Sequence, residues 1–321
     1  MSRLQFSFQT SDQIKINAYR WQPDSDIPVV GIVQIAHGMV EHILRYDSFC
    51  HFLTSHGFVV YGNDHRGHGH SISAPDDRGY FADKNGFELV VDDMLRLSAI
   101  AQNEHPSAPL FIFGHSMGSF LTRRYMAKYR DKLSGVILSG TGGDQGIIGK
   151  IGYLLATVEK HRIGARTPSL LLDKLIFRNF NKMIKNPRTP YDFLTRDEAV
   201  VDEYIHDDLC GYTATAGFYA DLIYGNNLVN TDEQVARIPK DLPIFLIAGD
   251  KDPVGNQGKG VREVYEQYKR HNLHVSMKLY EGARHELLHE WNKADVYEDI
   301  LNWLKEIMKG VKSWDTKFIK Q

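Results

Sequence analysis

Leu110-Phe-Ile-Phe-Gly-His-Ser-Met-Gly-Ser119 runs an apolar stretch straight into a Gly-His-Ser-Met-Gly pentapeptide, and residues 119–129 then read as a helix. Strand, sharp turn and helix are the context in which a Gly-x-Ser-x-Gly pattern lifts a serine clear of a sheet edge. Gly114 and Gly118 flank Ser116 because a strained turn needs close neighbours without side chains. Ser116 would then sit at a helix N-terminus, where free N–H groups and the dipole favour developing negative charge. Gly and Ser are common, so the pentapeptide needs support from the rest of the chain.

Working outward, residues 29–36, 58–61 and 135–138 are further short apolar runs that suit strands buried on both faces. Residues 4–8 and 14–19 alternate around Thr10-Ser-Asp12 and read as an antiparallel hairpin. Residues 49–55 read as a helix stopped by Gly57. Asn85 and Glu88 have capping-box spacing ahead of Phe87, Val90, Val91, Met94, Leu97 and Ala101, which recur at helical period. This strand–helix alternation predicts an α/β class with a mostly parallel central sheet flanked by helices. The pattern breaks after Gly140-Thr-Gly-Gly143 and resumes at residues 244–248 (strand), 260–269 (helix), 275–279 (strand) and 295–308 (helix). Residues 1–143 and 239–321 are therefore assigned to the core, residues 144–238 to an inserted, mainly helical cap, and residues 310–321 to a peripheral end.

The totals narrow the function classes. The chain has 321 residues, 42% of them hydrophobic, enough for one large domain with an insertion. A net charge of −2 gives no nucleic-acid surface. Two cysteines, Cys50 and Cys210, are too few for a disulfide framework, and the N-terminus has no apolar signal core, so a cytoplasmic protein is expected. No run is long and apolar enough to span a bilayer.

A serine hydroxyl needs a base within hydrogen-bond reach and a carboxylate to orient that base. The order serine, acid, histidine places the acid after a later strand, where Gly249-Asp-Lys-Asp-Pro-Val254 offers Asp250 and Asp252. Asp252, just before Pro253-Val254, is the choice; Asp250 suits a turn or cap carboxylate. The base belongs after the last strand, where Tyr280-Glu-Gly-Ala-Arg-His-Glu286 singles out His285 among 15 histidines. Two N–H donors complete an oxyanion hole. One is Met117, directly after the serine; the other is Met39 in His37-Gly38-Met39, with Gly38 permitting the loop shape and His37 bracing it.

At this point the chain resembles the monoacylglycerol lipase and lysophospholipase branch of the α/β-hydrolase family. The residues that carry the resemblance are Ala36-His-Gly-Met-Val-Glu-His42 with Arg45-Tyr46, Asp64-His-Arg-Gly-His-Gly69 with Ser71, Gly114-His-Ser-Met-Gly118, Gly249-Asp-Lys-Asp252 and Glu281-Gly-Ala-Arg-His-Glu286. Thr195-Arg-Asp197, Val201-Asp-Glu-Tyr204 and Asp208-Leu-Cys210 extend it into the cap. The resemblance implies the α/β-hydrolase fold, Ser116, Asp252 and His285 as triad, Met39 and Met117 as oxyanion donors, and a mobile cap over an apolar acyl pocket. It implies a serine hydrolase acting on small acyl esters without cofactor or metal, cytoplasmic or peripheral to a membrane. Asp207-Asp208 departs from a single Asp near a Pro, and Met39 stands where the lipases often have a smaller residue.

Rival readings remain. His285-Glu-Leu-Leu-His289 is a literal His-Glu-x-x-His zinc signature, here following a strand and Gly282 instead of lying inside a long helix. His65, His68 and His70 suggest a metal cluster, although loop bracing fits them better. Cys210 reads as a buried small hydrophobe or a reactive thiol near the cap. The acidic run Asp197, Glu198, Asp202, Glu203, Asp207 and Asp208 reads as a solvated face; turned inward it would bind a substrate ammonium, as an aminopeptidase of proline-iminopeptidase type requires. Ile147, Ile148, Ile151, Leu154, Leu155 and Val158 form one helical stripe, read first as packing onto the core and second as a lid face meeting acyl chains or a membrane surface. A hydrolase fold kept as a non-catalytic binding protein is the third class. Enzymes of this fold that use an elbow aspartate are disfavoured by Ser116.

Overall fold

β3 (Gly31–Ala36), β4 (Phe58–Asn63), β5 (Leu110–His115), β6 (Gly135–Ser139) and β7 (Ile244–Gly249) are buried at every position. Their unbroken apolar runs suit strands covered on both faces. The computed structural model describes residues 2–130, 133–178 and 180–310. Within these, the five strands and β8 (Val275–Tyr280) run parallel. At the opposite edge β1 (Ser2–Gln9) and β2 (Lys15–Gln22) form the antiparallel hairpin, and β2 also pairs antiparallel with β4. The strand order is β1-β2-β4-β3-β5-β6-β7-β8.

Three helices, α1 (Asp47–Ser55), α2 (Gly86–Glu104) and α3 (Met117–Lys128), lie in the first half. Between the neighbouring strands β6 and β7 the chain forms α4 (Gly146–Ile163), α5 (Leu170–Phe177), α6 (Glu198–His206), α7 (Ala216–Val229) and α8 (Asp232–Val235). The last two are α9 (Lys259–Arg270) and α10 (Lys293–Met308). Phe49 and Leu53 of α1 share one core with Val296, Ile300 and Leu304 of α10 on one face of the sheet. Val90 and Met94 of α2 join Leu121 and Tyr125 of α3 in another. Most of the tail read as a peripheral end, residues 311–321, lies outside the described residues.

Two local expectations change. Asn85 and Glu88 do not form a capping box: Asn85 takes a left-handed backbone (φ 55) without a side-chain cap bond, and the Glu88 carboxylate accepts from Arg124 Nε at 2.6 Å. Asn tolerates that conformation, so it turns the loop into α2 by backbone shape. The α4 stripe does not pack onto the core either. Ile147, Ile148 and Leu154 are 75%, 77% and 62% exposed. Gly149 and Ala156 are the small residues buried in α4, and Asn227 Nδ2 of α7 donates to the Gly149 carbonyl at 3.0 Å. Small side chains let α4 approach α7, which leaves the large apolar ones outside.

The strand sequence reverses direction around β3, which lies between β4 and β5. Crevices beyond the carboxyl ends of parallel strands open at such a switch point. The loops after β3, β5, β7 and β8 meet there.

Candidate active site

Ser116 joins β5 to α3 with φ 52 and ψ −119. A left-handed non-glycine residue of this kind costs on the order of 1–3 kcal/mol and persists only where its surroundings enforce it. Two bonds do so: the Ser116 N–H donates to the Ser139 carbonyl at 2.9 Å, and the Ser119 hydroxyl donates to the Ser116 carbonyl at 2.6 Å. The strain thus sits on the serine. The flanking glycines serve close approach instead: a Cβ on Gly118 would lie 2.0 Å from the Ala36 carbonyl oxygen, and one on Gly114 2.4 Å from Thr122 Oγ1.

Asp252 and His285 are brought together from the loops after β7 and β8. His285 Nδ1 lies 3.0 Å from Asp252 Oδ1, which also accepts the Val254 N–H at 2.9 Å. Asp252 is fully buried. Burial of the imidazole opposes its protonation, but the charge of Asp252 and its hydrogen bond prevail, so His285 titrates above its ordinary range. Asp250 does something else: its Oδ1 accepts the Gly282 N–H at 2.7 Å and fastens the β8 loop.

Ser116, His285, Met39 and Met117 all line one cavity of about 610 Å³. Met117 is the first residue of α3, where an N–H has no partner within its own helix. Met39 lies in the loop after β3. That loop is held from several sides. The Gly38 N–H donates to Glu41 Oε1 at 2.6 Å. Val40 adopts φ 49, and its carbonyl accepts the Gly211 N–H at 2.9 Å and the Tyr204 hydroxyl at 3.1 Å. His37 braces the loop with both ring nitrogens: Nε2 accepts the His65 N–H at 2.9 Å, and Nδ1 lies 2.7 Å from the Gly38 carbonyl. Burial depresses His37 to about 4 and keeps it neutral.

At the cavity wall lies a buried charge cluster, Glu41, Arg45 and Glu286, whose roles the sequence left unread. Arg45 Nη1 and Nη2 donate to the two oxygens of Glu286 at 2.5 and 2.7 Å, and Nη1 also reaches Glu41 Oε2 at 2.6 Å. The Tyr46 hydroxyl donates to Glu41 Oε1 at 2.8 Å. Burial alone would raise both carboxyls; Arg45 overrides it and holds both below the usual carboxylate range. One guanidinium therefore joins the loop carrying Met39 to the residue beside His285. The signal was present, since Glu41, Arg45 and Glu286 fall within the motifs that carry the family resemblance.

His285 and His289 do not form a helical pair. Leu287–His289 is a single 3-10 turn, His285 faces Asp252, and His289 Nε2 lies 2.9 Å from the Arg45 carbonyl. His68 Nδ1 turns to the Arg66 carbonyl at 2.8 Å, and the His37 and His65 rings pack 4.2 Å apart. None of the acidic-run residues 197–208 lines the cavity; its carboxylates among the described residues are Glu41 and Glu286. Asp197 caps α6 instead, accepting the Ala199 N–H at 3.1 Å, and Asp202 pairs with Arg188 at 2.8 Å.

Residues 28–292 match the family described as serine aminopeptidase, S33. The chain belongs to this family. As a family member it is 28% identical over 308 residues to a monoacylglycerol lipase of Mycolicibacterium smegmatis, covering 94% of this chain and 97% of that one. It is 28% identical over 291 residues to the monoglyceride lipase of Mus musculus, covering 88% and 84%. Among solved structures it resembles a thermostable carboxyl esterase from Bacillus coagulans, crystallised with glycerol, at a TM-score of 0.89 and 29% identity over 96% of this chain and 99% of that one. The fold of this family member is that of an α/β-hydrolase.

Proposed function

We propose that the chain is a serine hydrolase of carboxylic esters with apolar acyl chains, monoacylglycerols and lysophospholipids among them. One observation carries the choice within the family. The cavity that Ser116 and His285 line is walled by Ile148, Ile151 and Leu155 of α4 and Leu172, Leu175 and Ile176 of α5, while its two carboxylates, Glu41 and Glu286, are both held in ion pairs with Arg45. An acyl chain finds apolar surface there. A substrate ammonium, which an aminopeptidase must bind, would have to compete with Arg45 for either carboxylate among the described residues lining it.

The proposed reaction gives each of the site residues a role. Ser116 attacks the ester carbonyl as His285 takes its proton; Asp252 fixes the imidazole tautomer and stabilises the imidazolium. The Met39 and Met117 N–H groups hold the oxyanion. His285 returns the proton to the leaving alcohol, and water activated by the same histidine resolves the acyl-enzyme. Residues 144–238 act as a cap on residues 1–143 and 239–321, and the protein works at a membrane surface. The support is the exposed apolar rim of Ile147, Ile148 and Leu154 on α4 with Leu170 and Leu171 on α5. No helix among the described residues is long and apolar enough to cross a membrane.

Turnover of a panel of p-nitrophenyl esters, 1-monoacylglycerols and aminoacyl anilides tests the reading, with and without a serine-directed fluorophosphonate. Ester and monoacylglycerol cleavage abolished by the fluorophosphonate is the expected result. Anilide cleavage without ester cleavage would replace it with the aminopeptidase that the family description suggests.

A further inference from the structure

We propose that His42, Asp207 and Cys210 form a zinc-binding site that ties the helical segment to the loop after β3. One ligand atom from each residue lies within 4.8 Å of those of the other two, the one such set of three among the described residues. Imidazole, carboxylate and thiolate are all zinc ligands, and three protein ligands leave a fourth position for water. Zinc binds sulfur at about 2.3 Å and imidazole at about 2.0–2.1 Å, so a tetrahedral site needs ligand atoms roughly 3.3–3.8 Å apart. The cluster is already near that size.

Its local chemistry suits an ion. His42 Nε2 is 2.8 Å from Asp207 Oδ2, so histidine and carboxylate already converge. The other ring nitrogen, Nδ1, is buried without a partner. A metal ligated at Nε2 would leave the ring proton on Nδ1, which holds no bond that this would break. Asp207 Oδ1 accepts the Leu209 N–H at 2.8 Å and aims the carboxylate. This is the work done by Asp207 where a single Asp near a Pro was anticipated. Cys210 is buried and gives up its thiol proton to solvent as the ion binds. Asp207 is about one-third exposed at its side chain, which leaves an entry path. Arg45, the nearby cation, is offset by Glu41 and Glu286 and does not repel a divalent ion.

The placement has a structural effect. His42 follows the Met39 loop, while Asp207 and Cys210 flank the turn whose next residue, Gly211, donates to the Val40 carbonyl. A bound ion would clamp these two segments at the point where they already touch.

The test uses the whole chain, stripped with chelator and titrated with Zn²⁺ by calorimetry and with Co²⁺ by absorbance. One ion per chain and a thiolate-to-cobalt charge-transfer band are expected. Cys210→Ser should abolish the band, and His42→Gln should weaken Zn²⁺ binding at least about tenfold. His285→Ala and Ser116→Ala should retain both signals. Absence of binding by the native chain, equal binding by Cys210→Ser, or loss of binding in His285→Ala would each overturn the assignment. A second measurement needs no variant: Zn²⁺ should protect Cys210, read by mass spectrometry, from alkylation in the native chain. Alkylation at an unchanged rate counts against the site.

Discussion

The carboxylate of Glu286 is gripped by both terminal nitrogens of Arg45 at 2.5 and 2.7 Å, across 241 positions of sequence. Glu286 follows His285 directly, and the same guanidinium also holds Glu41, from the loop after β3, at 2.6 Å. Two loops that reach the site from opposite ends of the chain share one cation. Removing it leaves two buried carboxylates facing each other, and breaking a buried pair costs about 3–5 kcal/mol. Arg45→Met should lower the denaturation free energy by about that amount. Arg45→Lys keeps the charge but loses the two-pronged bond, and should lower kcat more than it raises KM. A KM-only change in Arg45→Lys would show that the cluster binds substrate without aligning the reacting groups.

Asp252→Asn and Asp250→Asn separate the two acidic candidates after β7. Asp252→Asn should lower kcat by roughly 10⁴, the size expected when the carboxylate that fixes a catalytic imidazole is neutralised. Asp250→Asn loosens the Gly282 N–H contact and should cost less than tenfold. Steady-state ester kinetics distinguish them; the reverse ranking would transfer the role to Asp250.

Ser116→Ala should abolish ester turnover while leaving the far-ultraviolet spectrum and melting temperature close to those of the native chain. The serine hydroxyl is not what enforces φ 52; the Ser139 carbonyl and the Ser119 hydroxyl act on the backbone. Scanning calorimetry beside the ester assay checks both halves.

Because His285 titrates above its ordinary range, the acid limb of kcat/KM should fall above about pH 6.5, since only the neutral imidazole accepts the serine proton. Replacing Asp252 removes the influence that opposes burial, so the residual activity of Asp252→Asn should persist to lower pH. The linkage sign agrees: stability from the charged His285–Asp252 pair is present below about pH 6.5 and fades as pH rises through the higher folded value. A limb unmoved in Asp252→Asn would break this connection.

Buried histidines push the other way. Burial holds His37 and His115 at about 4 and His68 at about 3, while an unfolded chain protonates them near 6.5. Stability from these groups is therefore present above about pH 6.5 and falls as pH drops toward 4, by up to about 1.4 kcal/mol per pH unit for each proton taken up only by the unfolded chain. Melting temperatures measured from pH 7 to pH 5 should decline. His68→Asn, if it folds, should flatten the decline, and an unchanged slope would count against the depressed values.

The buried strands were legible because each is a short apolar run bounded by turn residues, and the Ser116 elbow because three adjacent features agree on one turn. Arg45 was not legible in role. Its partner Glu41 is only four residues away, but Glu286 is 241 positions distant, and a charged residue in a loop carries no label saying that it is buried. The α4 stripe failed for a related reason. A helical period tells which side chains share a face, not whether that face meets protein, a cavity or open surface; Gly149 and Ala156 were the residues that decided it. Asn85 and Glu88 had capping-box spacing, but Arg124 and Lys128 of α3 captured the Glu88 carboxylate.

Val40 is a β-branched residue in a left-handed backbone, and the two donors on its carbonyl, Gly211 and Tyr204, come from the helical segment. A design rule for chimeras follows: a graft of the segment from a relative onto this core is free to vary α4 and α5, which line the cavity. It must keep a hydroxyl at 204 and an unblocked N–H at 211, or the graft will unhinge the shape of the β3 loop along with the specificity it was meant to alter.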